Sequence, residues 1–251
     1  MVKKFYLIFS SLFIFVIHLL FVFARVKPAS KTMNASMIKT VSSIADGVPP
    51  ASGKPGIYDS LKLNTRGLSR QAFDYAMKGF NFLFSQGKIN NNGIITIVDF
   101  SKTSDKKRLF ILDLKNYKIL FNTYVAHGQN SGREYADHFS NAPESLESSP
   151  GFYVTKETYT GAKGYCLRLE GEENGINDNA FSRGIVMHAA AYVNQALANS
   201  RGFIGRSWGC PAVPPELHLQ IINKIKNGTC LFLYTPNENY ISRSVILKHA
   251  S

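Results

Sequence analysis

The chain has 251 residues, of which 45% are hydrophobic, and this is enough for one sizeable core with flanking segments. It carries 29 Lys and Arg against 17 Asp and Glu, a formal net charge of +12, and basic proteins are attracted to polyanions such as nucleic acids, anionic lipids and anionic cell-wall polymers. The positive charges are scattered, and the sequence contains no zinc finger, RNA-binding signature or dense basic run. These features argue against nucleic acid as the partner.

The first 24 residues have the composition of an export segment. A basic pair, Lys3 and Lys4, precedes an almost wholly apolar stretch over residues 5–23, which is the arrangement of a secretory signal. The stretch is also about long enough to cross a bilayer. Residues 1–24 are therefore predicted to be either a cleaved signal peptide or a retained single-span membrane anchor. Both alternatives predict that the remaining chain is exported to the periplasm or cell envelope, with the anchor holding it at the inner membrane.

The next segment, residues 25–65, is rich in Ser, Lys, Pro and Gly, a composition typical of a flexible tether. Apolar residues then recur at helical spacing over residues 70–86, with Ser69 placed to cap the start and Gly87 to end the helix. The predicted apolar face contains Phe73, Ala76, Met77, Phe80, Leu83 and Phe84. Such a stripe is typical of core packing.

Short apolar runs separated by polar turns follow, and this pattern is typical of strands. We predict strands over residues 94–100, 108–114, 118–125, 152–155, 165–169, 184–187 and 229–234. Residues 126–149 form a long polar stretch, and a loop of this length in a compact domain is usually functional or disordered. A short helix is predicted between Pro215 and Gly228. The chain is thus predicted to be mainly β (α+β), with few helices.

The chain contains three cysteines, Cys166, Cys210 and Cys230. An odd number in an exported chain indicates at least one free thiol. Cys166 and Cys230 lie in strand-like runs, where cysteine behaves as a small buried hydrophobic residue. A disulfide between these two is the alternative, and it would leave Cys210 free.

Cys210 lies in the sequence GRSWGCP, residues 205–211. A thiol becomes an effective nucleophile when a nearby His accepts its proton, and His188 ends an apolar run that reads as a buried strand. The two residues are 22 positions apart (210 − 188), so the fold must bring them together. Gly209 leaves space for a substrate backbone to approach the thiol. The competing interpretation is an inert buried Cys and a core His.

The order of His188 and the SWGC sequence at residues 207–210 resembles the catalytic signature of the murein L,D-transpeptidases, in which a His precedes Ser/Thr-His-Gly-Cys. Trp208 stands where the broad family has a second His, which leaves His188 as the only base of the motif. Ala212 stands where the family often has Asn, so a substrate contact from that position does not carry over.

The resemblance extends beyond the signature. Runs typical of a divergent branch of the family lie at residues 96–100, 108–114, 125–128, 139–141, 148–153 and 205–213. The similarity covers about residues 66–236, which we predict to be the catalytic domain, and leaves residues 237–251 as a C-terminal tail. It implies an L,D-transpeptidase-like β-sandwich with a preceding helix and a few peripheral helices.

The family resemblance implies that the substrates are peptidoglycan stem tetrapeptides with a diamino acid at the third position. Cys210 would attack the carbonyl of that residue, His188 would accept the thiol proton or form an imidazolium–thiolate pair, and D-alanine would leave. Backbone N–H groups of the turn formed by Ser207, Trp208 and Gly209 would stabilise the oxyanion. The resemblance also implies that carbapenems and penems acylate the thiol better than penicillins.

Three further residues are predicted to serve the substrate. Arg206 lies in the Cys turn, where its guanidinium could clamp a carboxylate bidentately. The resemblance favours His127 in the lining of the cleft. Ala189 lies next to His188, and its backbone carbonyl is our candidate for the group that orients the His188 ring. The spacing of His127 and His138 matches no familiar ligand pattern, so no metal and no other cofactor is predicted.

Three alternatives remain open at the level of sequence. Water instead of an amine could resolve the thioester, which would make the protein an L,D-carboxypeptidase. The acceptor could be a Lys of an envelope protein. From a different class, the chain could be a non-catalytic wall-binding protein, although the presence of both Cys210 and His188 argues against it. The sequence leaves the oligomeric state undetermined.

Overall fold

The computed structural model describes residues 56–249. The helices are α1 (Ile57–Ser60), α2 (Arg70–Ser85), α3 (Gln195–Arg201), α4 (Pro215–Ile225), α5 (Glu238–Arg243) and α6 (Val245–His249). The strands are β1 (Ile94–Asp99), β2 (Leu109–Asp113), β3 (Lys118–Thr123), β4 (Gly151–Gly161), β5 (Gly164–Gly171), β6 (Val186–Ala189), β7 (Ala212–Val213) and β8 (Cys230–Tyr234). A mainly β fold with a few helices is therefore confirmed. The predicted export segment and most of the predicted tether lie outside the described residues.

The eight strands form one sheet with the order β3-β2-β1-β8-β4-β5-β6-β7. Neighbouring strands are antiparallel except for two parallel pairs, β1 with β8 and β6 with β7. The chain that follows β3 reaches the opposite edge, where Ala126 pairs with Ala212 of β7 and Gly128 pairs with Ser207. The sheet therefore nearly closes on itself, and the line of closure runs beside the turn that carries Cys210.

Helix α2 forms where the apolar spacing predicted it. The Ser69 hydroxyl accepts a hydrogen bond from the Ala72 N–H and so caps the first turn. The predicted face is buried at Phe73, Ala76, Phe80 and Leu83. Phe84 is an exception, because it is 46% exposed at the edge of the stripe. The helix packs on β1 and β8.

Alternate residues of the strands enter two hydrophobic cores, one on each face of the sheet, because successive strand side chains point to opposite sides. One core contains Ile95, Ile97, Phe110 and Phe232 and is covered by α2 and α6. The other contains Val98, Ile111, Leu231 and Leu233 together with the inner face of α4. The two-layer packing expected of a sandwich is thus produced by one nearly closed sheet.

All three cysteines are free and buried in the structure. Cys166 lies in β5 and Cys230 in β8, and they belong to opposite cores. The alternative of a disulfide between Cys166 and Cys230 is therefore wrong for this fold, and both behave as small hydrophobic residues. Cys210 lies in the same core as Cys166, at its border with the closure line.

The packed region is wider than the predicted boundaries of 66 and 236. At the start, Tyr58 of α1 is buried and its hydroxyl donates to the Leu68 carbonyl. At the end, residues 237–249 of the predicted tail form α5 and α6, and Ile246 and Leu247 are buried against α2. These short helices carry too few residues for a clear helical period, and tertiary packing stabilises them.

A buried carboxylate, Glu173, ties α5 and α6 to the sheet. It accepts hydrogen bonds from the Phe152 N–H at 2.8 Å and the Tyr240 hydroxyl at 3.1 Å, and also from the Ser244 hydroxyl. Burial raises the pKa of Glu173, while the bonds from Ser244, Phe152 and Tyr240 oppose that shift. The carboxylate thus satisfies three buried donors that come from distant parts of the chain.

We expect Glu173→Ala to lower the free energy of unfolding by about 3 kcal/mol, because it leaves three buried donors without an acceptor. Urea denaturation followed by circular dichroism measures this difference. Glu134→Ala removes an exposed carboxylate and is the matched control, with an expected change within about 0.5 kcal/mol. Equal stability of the two variants would contradict the anchoring role of Glu173.

Candidate active site

Strand pairing places His188 beside the segment that follows Cys210. In the parallel pair of β6 and β7, His188 lies opposite Ala212, which is two residues after Cys210. Both side chains are almost fully buried, with 4% exposure for His188 and 3% for Cys210. This register places His188 near the Cys210 turn, and a direct contact between the two side chains stays a prediction.

The His188 ring is oriented by one backbone hydrogen bond. Its Nδ1 lies 2.8 Å from the carbonyl oxygen of Ala189, which assigns the ring proton to Nδ1 because a carbonyl can only accept. Nε2 is buried and has no hydrogen-bond partner among the described residues. The neutral ring thus presents a free lone pair. Ala189 was our candidate for the orienting carbonyl, and the structure contains that bond.

Burial is the main reason why the pKa of His188 is lowered, and the Lys163 ammonium lowers it further, while the bond to Ala189 acts in the opposite direction. A lowered pKa keeps the imidazole neutral at neutral pH. A neutral imidazole can accept a proton, whereas an imidazolium cannot.

The turn before Cys210 is held by Ser207. The Ser207 hydroxyl donates to the Cys210 carbonyl at 2.6 Å and accepts from the Gly209 N–H at 3.1 Å. The Ser207 N–H donates to the His127 carbonyl. Ser207 is therefore occupied with the turn. In the described part of the chain, the N–H groups of Trp208 and Cys210 are left without a hydrogen-bond acceptor.

The backbone conformation and the close packing of the Cys210 turn require a glycine at position 209. Its φ is +115°, a conformation that side chains rarely allow, and an added Cβ would lie 2.7 Å from the Glu147 carbonyl oxygen. From the sequence, we expect the absence of a side chain at Gly209 to leave space for a substrate backbone. In the structure, that space is occupied by the backbone of the loop that contains Glu147.

His127 does not line the cavity at the site, contrary to the expectation from resemblance. The ring is fully buried; Nδ1 lies 2.6 Å from an Arg108 guanidinium nitrogen, and Nε2 lies 3.1 Å from the Gly132 carbonyl oxygen. Burial first, and the Arg108 charge second, lower the pKa of His127 to about 3. His127 is therefore a neutral structural residue whose backbone carbonyl supports the Ser207 turn.

Arg108 is a buried cation that the sequence analysis missed. Its guanidinium donates to the carbonyls of Lys102 and Val125, contacts His127, and lies 4.8 Å over the ring of Phe100. Burial lowers the pKa of Arg108 to about 9. A charged residue at the start of a predicted strand was the available signal, because buried Arg occurs almost only where its donors are satisfied.

The long polar loop predicted at residues 126–149 packs on the Cys turn. The Ser148 hydroxyl donates to the Gly209 carbonyl at 3.3 Å and accepts from the Gly128 N–H. Arg183 donates to the Ser140 and Glu147 carbonyls and to two Ser hydroxyls of this loop. The loop is thus a structural wall of the site.

A cavity of about 370 Å³ opens beside His188. It is lined by Lys163, His188, Ala189, Ala190, Tyr192, Arg206, Ser207 and Trp208. Trp208 is 66% exposed and forms part of the rim. Four of the residues that the sequence predicts to act around Cys210 therefore line this cavity together with His188: Ala189, Arg206, Ser207 and Trp208. The cavity is large enough for a peptide segment.

Lys163 is the second cation that sequence analysis missed. It lies at the tip of the hairpin between β4 and β5, in the two-residue turn between Gly161 and Gly164. Its Nζ is 4.0 Å from the Cys210 Sγ and 5.9 Å from the centre of the Trp208 ring. The turn is 47 residues before Cys210 (210 − 163), so no local pattern links the two.

Arg206 lines the same cavity, and one of its guanidinium nitrogens is already used. Nη1 donates to the carbonyls of Gln129 and Gly132, both at 3.1 Å. The residue therefore fastens the polar loop to the Cys turn. The predicted bidentate clamp would have to use the rest of the guanidinium.

The region from 56 to 249 contains no group of three or more His, Cys, Asp and Glu residues that could hold a metal ion. Within the same region, no helix is long and apolar enough to span a membrane. The predicted anchor at residues 1–24 lies outside it.

The chain is similar to known proteins of one family. The model of the L,D-transpeptidase catalytic domain family matches residues 64–234, more than half of the chain. Among curated protein sequences, none matches the chain significantly.

Similar solved structures include an L,D-transpeptidase from Mycobacterium smegmatis, with 10% identity, a TM-score of 0.36, and coverage of 57% of this chain and 59% of that chain. An L,D-transpeptidase from Stackebrandtia nassauensis has 15% identity, a TM-score of 0.35, and coverage of 68% and 69%. A helical cell shape determining protein from Campylobacter jejuni has 15% identity, a TM-score of 0.41, and coverage of 70% and 60%. The chain spans less than two thirds of the length of the first of these proteins.

Proposed function

Because the chain belongs to the L,D-transpeptidase catalytic domain family, we propose that it is a cysteine-dependent L,D-transpeptidase acting on peptidoglycan stem tetrapeptides. The observation that carries this proposal is the buried Nε2 of His188, which has no hydrogen-bond partner among residues 56–249 and lies on the strand next to the Cys210 turn. A buried nitrogen without a partner costs free energy unless a reacting group uses it.

In the proposed first step, Cys210 Sγ attacks the carbonyl carbon of the third stem residue. The thiol proton passes to His188 Nε2 and then to the leaving nitrogen. The carbon–sulfur bond forms, the carbon–nitrogen bond breaks, and D-alanine leaves as the free amino acid. The product is a thioester on Cys210. No cofactor is needed for this exchange.

The oxyanion of the tetrahedral intermediate needs donors that are free in the resting protein. We assign this role to the N–H groups of Trp208 and Cys210, since those of Ser207 and Gly209 already donate within the protein. Ser207 then supports the turn, and Gly209 lets the turn pack against the loop at Glu147.

In the second step, an amine of another stem peptide attacks the thioester carbonyl. The new amide bond forms, the carbon–sulfur bond breaks, and His188 returns the amine proton to the thiolate. Water as the acceptor would give a tripeptide and make the protein an L,D-carboxypeptidase. A Lys side chain of an envelope protein would follow the same chemistry. Because peptidoglycan is the proposed substrate, we also propose that the protein is exported.

Mass spectrometry of reaction products separates these alternatives. The full chain is incubated with purified tetrapeptide muropeptides, with Cys210→Ala as the matched control. Cross-linked dimers support transpeptidation, and tripeptide monomers support carboxypeptidation. Unchanged muropeptides with the folded parent protein would favour a non-catalytic wall-binding protein and contradict the proposed activity.

The pH dependence follows from the lowered pKa of His188. Below this pKa the ring is protonated and cannot accept the thiol proton; above it the ring is neutral and active. We therefore expect the acid limb of kcat/KM to have its midpoint below the ordinary histidine value of 6.5. Lys163→Met should move the midpoint upward, because it removes one of the causes of the lowered pKa. A midpoint above 6.5 in the parent protein would be inconsistent with His188 as the base.

A strained β-lactam carbonyl should trap the thioester stage. We expect a carbapenem to add one ring-opened molecule to Cys210 and none to Ser207, because the Ser207 hydroxyl donates to the Cys210 carbonyl. Intact-protein mass spectrometry with peptide mapping locates the adduct. Cys210→Ser should remain unmodified at neutral pH, since a hydroxyl is the weaker nucleophile. An adduct on Ser207 would overturn the assignment of the nucleophile.

A further inference from the structure

We infer, on the basis of the proposed function, that Lys163 binds the carboxylate of the leaving residue. The protein would then select acyl donors in which a free C-terminal carboxylate follows the scissile bond. Lys163 would be a specificity-determining residue of the site, and internal peptide bonds would be poor substrates.

The position of the hairpin supports this inference. The β4–β5 hairpin extends to the closure line and places Lys163 Nζ 4.0 Å from the nucleophilic Sγ. Gly164 adopts a φ of +77°, which lets the chain turn tightly after Lys163. The ammonium thus faces the place where the scissile carbonyl must lie during attack.

The dimensions of a peptide fit this placement. One residue spans at most about 3.3–3.6 Å along an extended chain. The carboxylate of a terminal residue therefore lies within roughly 3.6 Å of the scissile carbonyl carbon, by the same repeat. An ammonium 4.0 Å from the attacking sulfur is within reach of that carboxylate. For an internal bond, a neutral amide would take the same position.

The charge of the cavity supports an anionic ligand. Its lining contains two cations, Lys163 and Arg206, and no Asp or Glu. Within residues 56–249, neither cation forms an ion pair with a carboxylate. Such an excess of one sign attracts a ligand of the opposite sign.

Lys163 is better placed than Arg206 for this contact. Arg206 Nη1 is held by two loop carbonyls, whereas the Lys163 ammonium, among residues 56–249, forms a polar or aromatic contact with the Cys210 sulfur and the Trp208 ring alone. A cation over an aromatic face is held weakly and keeps its donors available. Trp208 therefore keeps the ammonium at the cavity without neutralising it.

The test compares two acyl donors that differ only at the C-terminus: a tetrapeptide stem with a free D-alanine carboxylate and the same stem with a C-terminal amide. Release of D-alanine or its amide by the full chain is measured by mass spectrometry. We expect the parent protein to prefer the carboxylate by at least about tenfold in kcat/KM, since a hydrogen bond to a charged group is worth that factor.

Variants assign the preference to one residue. Measured at a pH above the acid limb of both proteins, Lys163→Met should lose the preference by slowing only the carboxylate donor, and Lys163→Arg should retain it. Lys115→Met, an exposed Lys at the β2–β3 turn, is the matched control and should behave as the parent. A preference that persists in folded Lys163→Met, or equal loss on both donors, would overturn the inference.

The outcomes also separate this inference from the proposed function. A parent protein that processes both donors equally would keep the proposed activity and overturn the role of Lys163. A parent protein that processes neither donor would overturn the proposed activity and the inference with it. The donor preference is measured in the parent chain, so it does not depend on the folding of any variant.

Discussion

Cys210→Ala is expected to abolish release of D-alanine from tetrapeptide stems while the protein stays folded. The Cys210 thiol is the proposed nucleophile, and the nearby Ser207 hydroxyl cannot replace it because it is held within its own turn. Alanine fills most of the volume of cysteine, so the fold should tolerate the change. Product analysis by mass spectrometry and a urea denaturation curve measure the two properties.

Two controls make this result specific. Cys166→Ala and Cys230→Ala remove the other two thiols, which are buried in the opposite cores of the sheet. They should retain turnover even where stability falls by about 1 kcal/mol, the usual effect of deleting a small buried group. If folded Cys210→Ala released D-alanine at the parent rate, the thioester mechanism would be wrong.

His188→Ala is expected to lower the acylation rate by about 10²- to 10⁴-fold, the usual effect of a positioned general base. The ring is fixed by one hydrogen bond to the Ala189 carbonyl, and its free Nε2 is the proton acceptor in the proposal. Stopped-flow measurement of carbapenem acylation gives the rate directly. The variant removes the base but leaves the Cys210 turn intact.

The matched control is His218→Ala, which removes a partly exposed histidine on α4 and should acylate at the parent rate. His127→Ala provides a second comparison. It removes a buried ring that bonds to Arg108 and the Gly132 carbonyl, so we expect a loss of stability that exceeds its effect on proton transfer. A His188→Ala variant that acylates as fast as His218→Ala would rule out the Cys–His pair.

Much of the secondary structure could be predicted because it depends on local periodicity. The helix at residues 70–85 has an apolar stripe and a Ser cap, and β1 and β8 are mostly apolar runs buried on both faces. Residues 237–249 lack such a signal. Their two short helices exist because Glu173 and the α2 surface hold them, and a sequence pattern does not record those partners.

The residues of the candidate site likewise fall into those that the sequence could predict and those that it could not. The sequence by itself singled out the proposed nucleophile and base, Cys210 and His188, since their chemistry and the turn motif are local properties. Only the tertiary structure decided that Lys163 reaches the thiol, that Arg108 and His127 form a buried support, and that Nε2 of His188 is free. These relations depend on strand register and on the closure of the sheet, which place residues far apart in the chain within a few ångströms of each other.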